Sequence, residues 1–169
     1  MHGTPKDVGG ARDLAARDKY QFQWWACSLV NAQPYQGRKK GADGGIDGLI
    51  YFQDELKTHK KIIVSVKGGS HVNVAMVRDL AGVLEREKAE IGLFVTLIPP
   101  TGPMQTEAAK AGFYKSPTLP GNFPRLQILT IEGLLEGNER PLYPDLSQGG
   151  LTFKKAGQEE TAKEQKKLF

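Results

Sequence analysis

The sequence contains a single cysteine, Cys27, and only three histidines, His2, His59 and His71. One thiol excludes an internal disulfide and any zinc site built from several cysteines. The histidines are scattered along the chain and lack the spacing of metal ligands. We therefore expect any metal ion bound by this chain to be held by oxygen atoms.

Long apolar runs are also missing. No stretch reaches the length that spans a bilayer, and the N-terminus lacks the basic and then apolar pattern of a signal peptide. These absences favour a cytoplasmic protein with no membrane partner. The 169 residues, of which 39% are hydrophobic and 25% charged, suit one domain with its own core. We expect that domain to occupy residues 1–150, followed by a charged tail over residues 151–169.

A small excess of positive charge is consistent with a polyanionic partner. The formal net charge is +4, and much of the excess lies in the final segment, KKAGQEETAKEQKKLF. Because this segment is expected to be solvated, its charge says little about the folded domain. The partner has to be inferred from motifs.

The spacing of apolar residues predicts an α/β domain in the order α, β, β, α, β, α, β, α, with a mixed sheet covered by helices. Residues 11–32 contain neither proline nor glycine and predict one long helix, whose core face includes Phe22, Trp25 and Leu29. Asp18 lies in the same stripe, which predicts either a partly buried acid paired with a base or a backbone group, or an acid facing an active site. The other predicted elements are strands at 48–52, 61–67, 91–97 and 126–130, helices at 72–89, around 104–114 and at 131–137, and loops at 53–60 and 115–124.

Two short stretches carry residues suited to chemistry, GADGGIDG (41–48) and KKIIVSVKGG (60–69). Side chains alternate along a strand, so Ser65 and Lys67 project from the same face. If strand 48–52 pairs with strand 61–67 about a turn near residues 56–57, Asp47 falls opposite Ser65 or Lys67. A carboxylate, a hydroxyl and an ammonium group would then converge at one edge of the sheet.

This trio suits the hydrolysis of a phosphodiester. An aspartate binds Mg²⁺ through oxygen, the metal activates water and neutralises the phosphate, and a lysine stabilises developing charge. Gly44, Gly45 and Gly48 would let the backbone approach a phosphate, or would supply turn conformations. The alternative is a purely structural glycine-rich turn with Lys67 extending from a strand end into solvent. Composition and spacing alone weigh these two interpretations about equally.

A longer resemblance favours the first interpretation. The two stretches, with DKYQFQWWACSLVNAQP, VRDLAGVLEREKAEIGLFVT and PRLQILTIEGLLEG, resemble the Mrr-like restriction endonucleases of the PD-(D/E)XK nuclease superfamily. More closely, the chain to about residue 155 is similar to the C-terminal domain fused to certain bacterial and phage DNA adenine or cytosine-N4 methyltransferases. The resemblance implies a restriction-endonuclease-like three-layer fold, Mg²⁺ as cofactor with Mn²⁺ as a substitute, and double-stranded DNA as substrate.

The resemblance also assigns expected roles to residues. Asp47 takes the role of the metal-binding aspartate and Lys67 that of the catalytic lysine. Ser65 occupies the position of the superfamily's second acid, and is expected at the catalytic centre as a neutral metal ligand. Gln23 stands where many Mrr-like nucleases have a glutamate on the first helix, and Asp18 or Asp43 are candidates for the missing negative charge. The residues expected to contact DNA are Lys39, Lys40, Gly44, Gly45 and Gly68.

The chain lacks the FxGxG and DPPY-type motifs of DNA amino-methyltransferases, so we expect it to be a free-standing domain or a piece of a larger restriction–modification protein with a methyltransferase domain in cis. Three functions remain open. The first is a Mg²⁺-dependent DNA endonuclease, for which cutting of both strands is compatible with a homodimer. The second is a DNA-binding or target-recognition module whose catalysis has been lost, which Ser65 permits. The third is an α/β domain unrelated to nucleic acid.

Overall fold

Five strands form the central sheet of the computed structural model, which describes residues 5–35, 46–55, 58–117 and 120–144. The helices are α1 (Val8–Arg17), α2 (Lys19–Leu29), α3 (Val74–Glu87), α4 (Gly102–Ala109) and α5 (Ile131–Glu136). The strands are β1 (Gln33–Pro34), β2 (Gly48–Glu55), β3 (Thr58–Lys67), β4 (Ile91–Thr96), β5 (Phe113–Lys115), β6 (Asn122–Pro124) and β7 (Leu126–Thr130). None of these described helices combines the length and apolar character needed to cross a membrane.

The central sheet is mixed, with strand order β1-β2-β3-β4-β7. β2 pairs antiparallel with β1 and β3, and Gly48 lies opposite Val64. β4 pairs parallel with β3 and β7, and Lys67 lies opposite Thr96. Parallel neighbours require crossover connections, which α3 and α4 help to provide. The predicted α/β, restriction-endonuclease-like fold is confirmed.

Helices cover both faces of this sheet and create two apolar cores. Ile62, Val64 and Val66 of β3 belong to the core shared with α1, α2 and α5. Ile63, from the alternate face of the same strand, belongs to the core shared with α3 and α4. β4 is buried along its whole length, which explains its unbroken apolar sequence IGLFVT. The three layers place the end of β3 between α2 and the start of α3.

Asp18 separates α1 from α2, so the prediction of one helix over residues 11–32 is wrong. Its backbone is extended, with φ −150° and ψ 96°, and its carboxylate accepts the N–H of Gln21 at 3.1 Å. Aspartate is a strong N-cap, and this local hydrogen bond competes with continuation of the helix. The interpretation of Asp18 as a partly buried acid bound to a backbone group is confirmed. Phe22 is buried as predicted, and Trp25 is half-buried against the same core.

Two further predictions need correction. The segment 115–124 is not all loop, because β6 pairs antiparallel with β5. The helix predicted around 104–114 ends at Ala109, and Gly112, with φ +81°, turns the chain into β5. The β2–β3 hairpin is longer than predicted. Three other predictions lie outside the described residues: the turn at residues 56–57, the domain boundary at residue 150 and the charged tail over residues 151–169.

Candidate active site

Asp47 lies immediately before β2, where the hairpin fixes both its backbone and its carboxylate. Its N–H donates to the carbonyl of Val64 at 2.8 Å, and its own carbonyl accepts the N–H of Tyr35 at 2.9 Å. Its Oδ2 accepts the N–H of Val66 at 2.7 Å. The printed register of the two strands ends with Gly48 opposite Val64, and Asp47 itself bonds to Val64 and Val66, the residues on either side of Ser65. The antiparallel pairing of β2 with β3 is therefore confirmed, whereas the position of Asp47 opposite Ser65 or Lys67 stays a prediction.

Ser65 and Lys67 occupy alternate positions at the end of β3, on the face that carries Ile63. The Ser65 side chain is 4% exposed. Within the described part of the chain, its hydroxyl makes no hydrogen bond, although buried polar groups are nearly always paired. Lys67 is half-buried, and its ammonium likewise has no hydrogen bond or ion pair among the described residues. β3 thus ends in two polar groups that the described fold leaves unpaired.

A cavity of about 830 Å³ opens at this end of the sheet, and Asp47, Lys67 and Gln23 all line it. Asp47 immediately precedes β2, Lys67 ends β3, and Gln23 belongs to α2. The Gln23 amide is half-buried and makes no hydrogen bond with any group in the described ranges. Arg12 and Lys19 also line the cavity. Asp47 is the one acid among the described lining residues, so the cavity has a positive rim around a single carboxylate.

Two glycines allow α2 to pack directly against the strand ends that carry these groups. A Cβ atom at Gly48 would lie 2.6 Å from Sγ of Cys27, and one at Gly68 would lie 2.7 Å from Cε2 of Phe22. Such distances are too short for carbon in a packed interior. Helix packing therefore accounts for both glycines. Gly68 also lines the cavity, so its predicted contact with DNA stays a prediction.

Cys27 connects the core to the site. Its buried Sγ donates to the carbonyl of Asp47 at 3.6 Å. Burial and the neighbouring charge of Asp47 raise the pKa of the Cys27 thiol from 9.0 to about 12. The thiol is consequently neutral at physiological pH and acts as a packed donor, not as a nucleophile or metal ligand.

The sequence also matches a known protein family. The model of the Mrr_cat family, described as restriction endonuclease, matches residues 14–115, which is more than half of the chain. The chain belongs to this restriction endonuclease family. No curated protein and no solved structure matches it. The matched segment runs from α1 to β5, so it contains the hairpin, both unpaired groups of β3 and Gln23.

Several predicted site residues of this restriction endonuclease domain fall elsewhere. Asp18 caps α2 and is not among the cavity-lining residues. Five other predicted site residues lie outside the described ranges: Lys39, Lys40, Asp43, Gly44 and Gly45. In the part of the chain that the structure describes, no group of three or more His, Cys, Asp or Glu side chains is placed to hold a metal ion. Asp47 is accordingly the site's single described carboxylate.

The sequence analysis missed three basic residues that line the cavity, Arg12, Lys19 and His71. Arg12 and Lys19 lie on different helices, and their approach to one cavity depends on the break at Asp18. His71 follows β3 in the segment that leads to α3. The basic residues between positions 12 and 19 are evident in the sequence. Their approach to the end of β3 depends on the change of helix direction at Asp18, which the sequence pattern does not show.

Proposed function

We propose that this restriction endonuclease domain is a Mg²⁺-dependent DNA endonuclease that hydrolyses phosphodiester bonds in a restriction–modification system. One observation carries the proposal: Asp47, Gln23 and Lys67, from three separate elements, line one cavity whose other described ionisable residues are bases or tyrosine. Such a surface attracts a phosphate backbone while keeping one oxygen ligand for a cation.

The residues fit a magnesium ion. Mg²⁺ in nucleic-acid enzymes is commonly held by one or two carboxylates, with water and substrate phosphate completing its coordination. Asp47 supplies an oxygen ligand whose orientation the Val66 N–H fixes at 2.7 Å. The unpaired, buried hydroxyl of Ser65 is not among the residues that line the cavity, and it would be a neutral second donor at the end of β3. When bound, Mg²⁺ would neutralise phosphate charge and make a water molecule more acidic. Mn²⁺ would satisfy the same oxygen donors.

The chain's own cations act on the substrate. Lys67, without a described partner, is free to donate to a phosphate oxygen or to the attacking water, and to stabilise negative charge as the phosphorus–oxygen bond breaks. Arg12 and Lys19 lie on the cavity rim and would hold flanking phosphates. Gln23 adds a neutral amide that orients water or phosphate through hydrogen bonds. The roles of positioning and charge stabilisation are thereby divided among different elements.

The biological setting follows from the resemblance described above. A domain of this kind would act on double-stranded DNA in the cytoplasm, with a methyltransferase domain in cis as one partner. Cutting both strands with one catalytic centre per chain would require either two successive events or a homodimer.

A second function is favoured by the small number of acids. The described residues give the cavity one carboxylate, and Ser65 stands where the superfamily has another acid. A domain that had lost its metal affinity would still bind DNA through Arg12, Lys19 and Lys67. It would then serve as a target-recognition module without cleavage.

Cleavage separates the two functions. Supercoiled plasmid is incubated with the protein and Mg²⁺ or Mn²⁺, with and without chelator. We expect nicking that chelator abolishes, and a loss of about 10²-fold or more in rate for Lys67→Ala, because that change removes a charge that stabilises the transition state. Asp47→Ala should abolish metal-dependent cleavage, yet its DNA binding in chelator should hold or rise because one negative charge is gone.

Two exposed residues outside the cavity provide matched controls, Lys115→Ala for the lysine and Asp79→Ala for the aspartate. Both should cleave like the parent. Parent-like cleavage by Lys67→Ala and Asp47→Ala would place the catalytic centre elsewhere. A parent that binds DNA but never cleaves would favour the recognition module.

A further inference from the structure

Helix α2 presents two large aromatic side chains to solvent beside the cavity. Tyr20 is 43% exposed and Trp24 is 49% exposed. They are four residues apart, so they are neighbours on one surface of the helix. The adjacent Trp25, by contrast, is half-buried and packs against Phe22 with ring centroids 6.0 Å apart. Core packing accounts for Trp25 but leaves the exposure of Trp24 unexplained.

The aromatic pair continues the rim of the candidate active site. Tyr20 lines the cavity together with Gln23, and Trp24 lies one turn further along α2. Lys19 lines the cavity at the first position of this helix, where the helix dipole disfavours a cation. A bound anion would offset that cost. The surface formed by Tyr20 and Trp24, called here the aromatic rim, thus adjoins a positively charged surface.

The acids near this rim are engaged elsewhere. Asp13 lies 3.5 Å from Arg17 in an ion pair, and Asp18 caps α2. Arg12 and Lys19 have no ion pair within the described ranges. The local balance of available charge is therefore positive, and exposed aromatic rings beside unpaired cations match a ligand that carries both phosphates and flat bases.

We propose that the aromatic rim stacks against an unpaired nucleobase of DNA while Arg12 and Lys19 hold its phosphates. The inference rests on the proposed function, because it takes DNA as the ligand of the adjoining cavity, and it narrows the substrate to DNA with a base outside the duplex stack. Bases within a duplex present only their edges to a protein, whereas an unpaired base presents a face that a tryptophan ring can cover. The scissile phosphate would lie next to that unpaired base.

The test compares two single strands with equal charge. Binding of the full chain is measured in chelator, by fluorescence anisotropy, to a labelled thymidine 12-mer and to a 12-mer of abasic sites. The parent should bind the thymidine strand about tenfold more tightly, since stacking adds affinity that the sugar–phosphate chain cannot supply. Trp24→Ala should remove this difference and leave binding to the abasic strand unchanged. Trp24→Phe, which keeps a ring, should retain most of it.

Two controls isolate stacking from other effects. Tyr51 is 55% exposed on β2 and does not line the cavity, so Tyr51→Ala should keep the preference for bases. Lys19→Ala should weaken binding to both strands and lower the dependence of log K on log salt by about 0.7, the value for one phosphate contact on a single strand. Trp24→Ala should leave that salt dependence unchanged.

Equal affinity of the parent for the two strands would overturn the inference. So would a Trp24→Ala variant that keeps the preference, or one that loses affinity equally for both strands. Failure of the proposed nuclease function can be told apart from failure of this inference, because the nuclease function is tested by plasmid cleavage and the inference by strand binding. A parent that prefers bases without cleaving supports the aromatic rim alone, and one that cleaves without the preference supports the nuclease alone.

Discussion

Ser65 carries a buried hydroxyl two positions before Lys67 on β3. A serine there offers a cation only a dipole, where a carboxylate would offer charge. Yet a buried carboxylate without a partner costs several times more than a buried hydroxyl. Under the proposed Mg²⁺ site, serine at position 65 would stabilise the metal-free domain and lower its affinity for the ion.

Ser65→Glu should lower the stability of the metal-free domain and raise its affinity for Mg²⁺. In chelator the variant should unfold at a lower temperature than the parent, and Mg²⁺ should raise its melting temperature more than it raises the parent's, because an ion bound only by the folded state stabilises it. Calorimetric titration with Mg²⁺ should also give the tighter dissociation constant. Ser65→Gln is the matched control, similar in size but neutral. Equal Mg²⁺ responses of the two variants would mean that position 65 is not a metal ligand.

The site could be predicted in part because strand alternation is a short-range rule. Ser65 and Lys67 must share a face, and the hairpin brings Asp47 to the same end of the sheet. Gln23 was found through resemblance, since its helical position alone gives no reason to point at β3. His71 was not predicted, because its location depends on the path between β3 and α3, and a loop path carries no periodic signal.

At the scale of elements, α2 is the support of the site. It contacts β2 through Cys27 and Gly48, and the end of β3 through Phe22 and Gly68. Because the strand side of each contact is glycine, the distance from helix to strand is set by the Cys27 and Phe22 side chains of the helix. Small changes in this packing would alter the relative positions of Gln23, which α2 carries, and the strand ends.

Gly68→Ala should therefore destabilise the domain by about 1–3 kcal/mol, because its Cβ would meet the buried ring of Phe22 at 2.7 Å. Urea unfolding measures the change. Gly69→Ala is the control, since its Cβ would come no nearer than 4.0 Å to the closest neighbouring atom. If Gly68→Ala keeps the parent's stability but loses DNA affinity, the original expectation of a DNA contact is correct and the packing explanation is wrong.

Element types were predictable where the apolar pattern was clear, as in the helical spacing of α3 and the continuous apolar run of β4. The break at Asp18 was not, because apolar spacing continues through it, and only the cap hydrogen bond to Gln21 ends the helix there. β6 was also missed, since three residues next to proline and glycine are too few to carry an alternating pattern. Its pairing with β5 is a tertiary contact that local propensity does not encode.

At the scale of the whole molecule, Cys27 links alkaline pH to stability. Its pKa is raised to about 12 in the folded protein by burial and by Asp47, whereas the unfolded thiol ionises near the ordinary value of 9.0. The unfolded chain therefore binds fewer protons between these values. The contribution of Cys27 to stability is fully present below about pH 9 and is lost as the pH rises toward 12.

The parent and the Cys27→Ala variant should differ in how steeply the free energy of unfolding changes with pH. Between pH 9 and pH 11 the parent's free energy of unfolding should fall more steeply than the variant's, by about 1.4 kcal/mol per pH unit for one proton. Denaturant unfolding at several pH values measures both curves, and titrating lysines and tyrosines cancel in the comparison. Parallel curves would contradict the raised pKa.

The pairing of β4 with β7 sets a minimum length for a chain that stays in solution. The family match ends at residue 115, whereas β7 covers Leu126–Thr130. Without β7, β4 would present an unpaired edge of six uncharged residues, all of them interior in the complete sheet. Edges of that kind recruit strands from other molecules and lead to aggregation. The segment that contains the candidate active site should thus depend on a segment outside the family match to keep it from forming fibrils or precipitates.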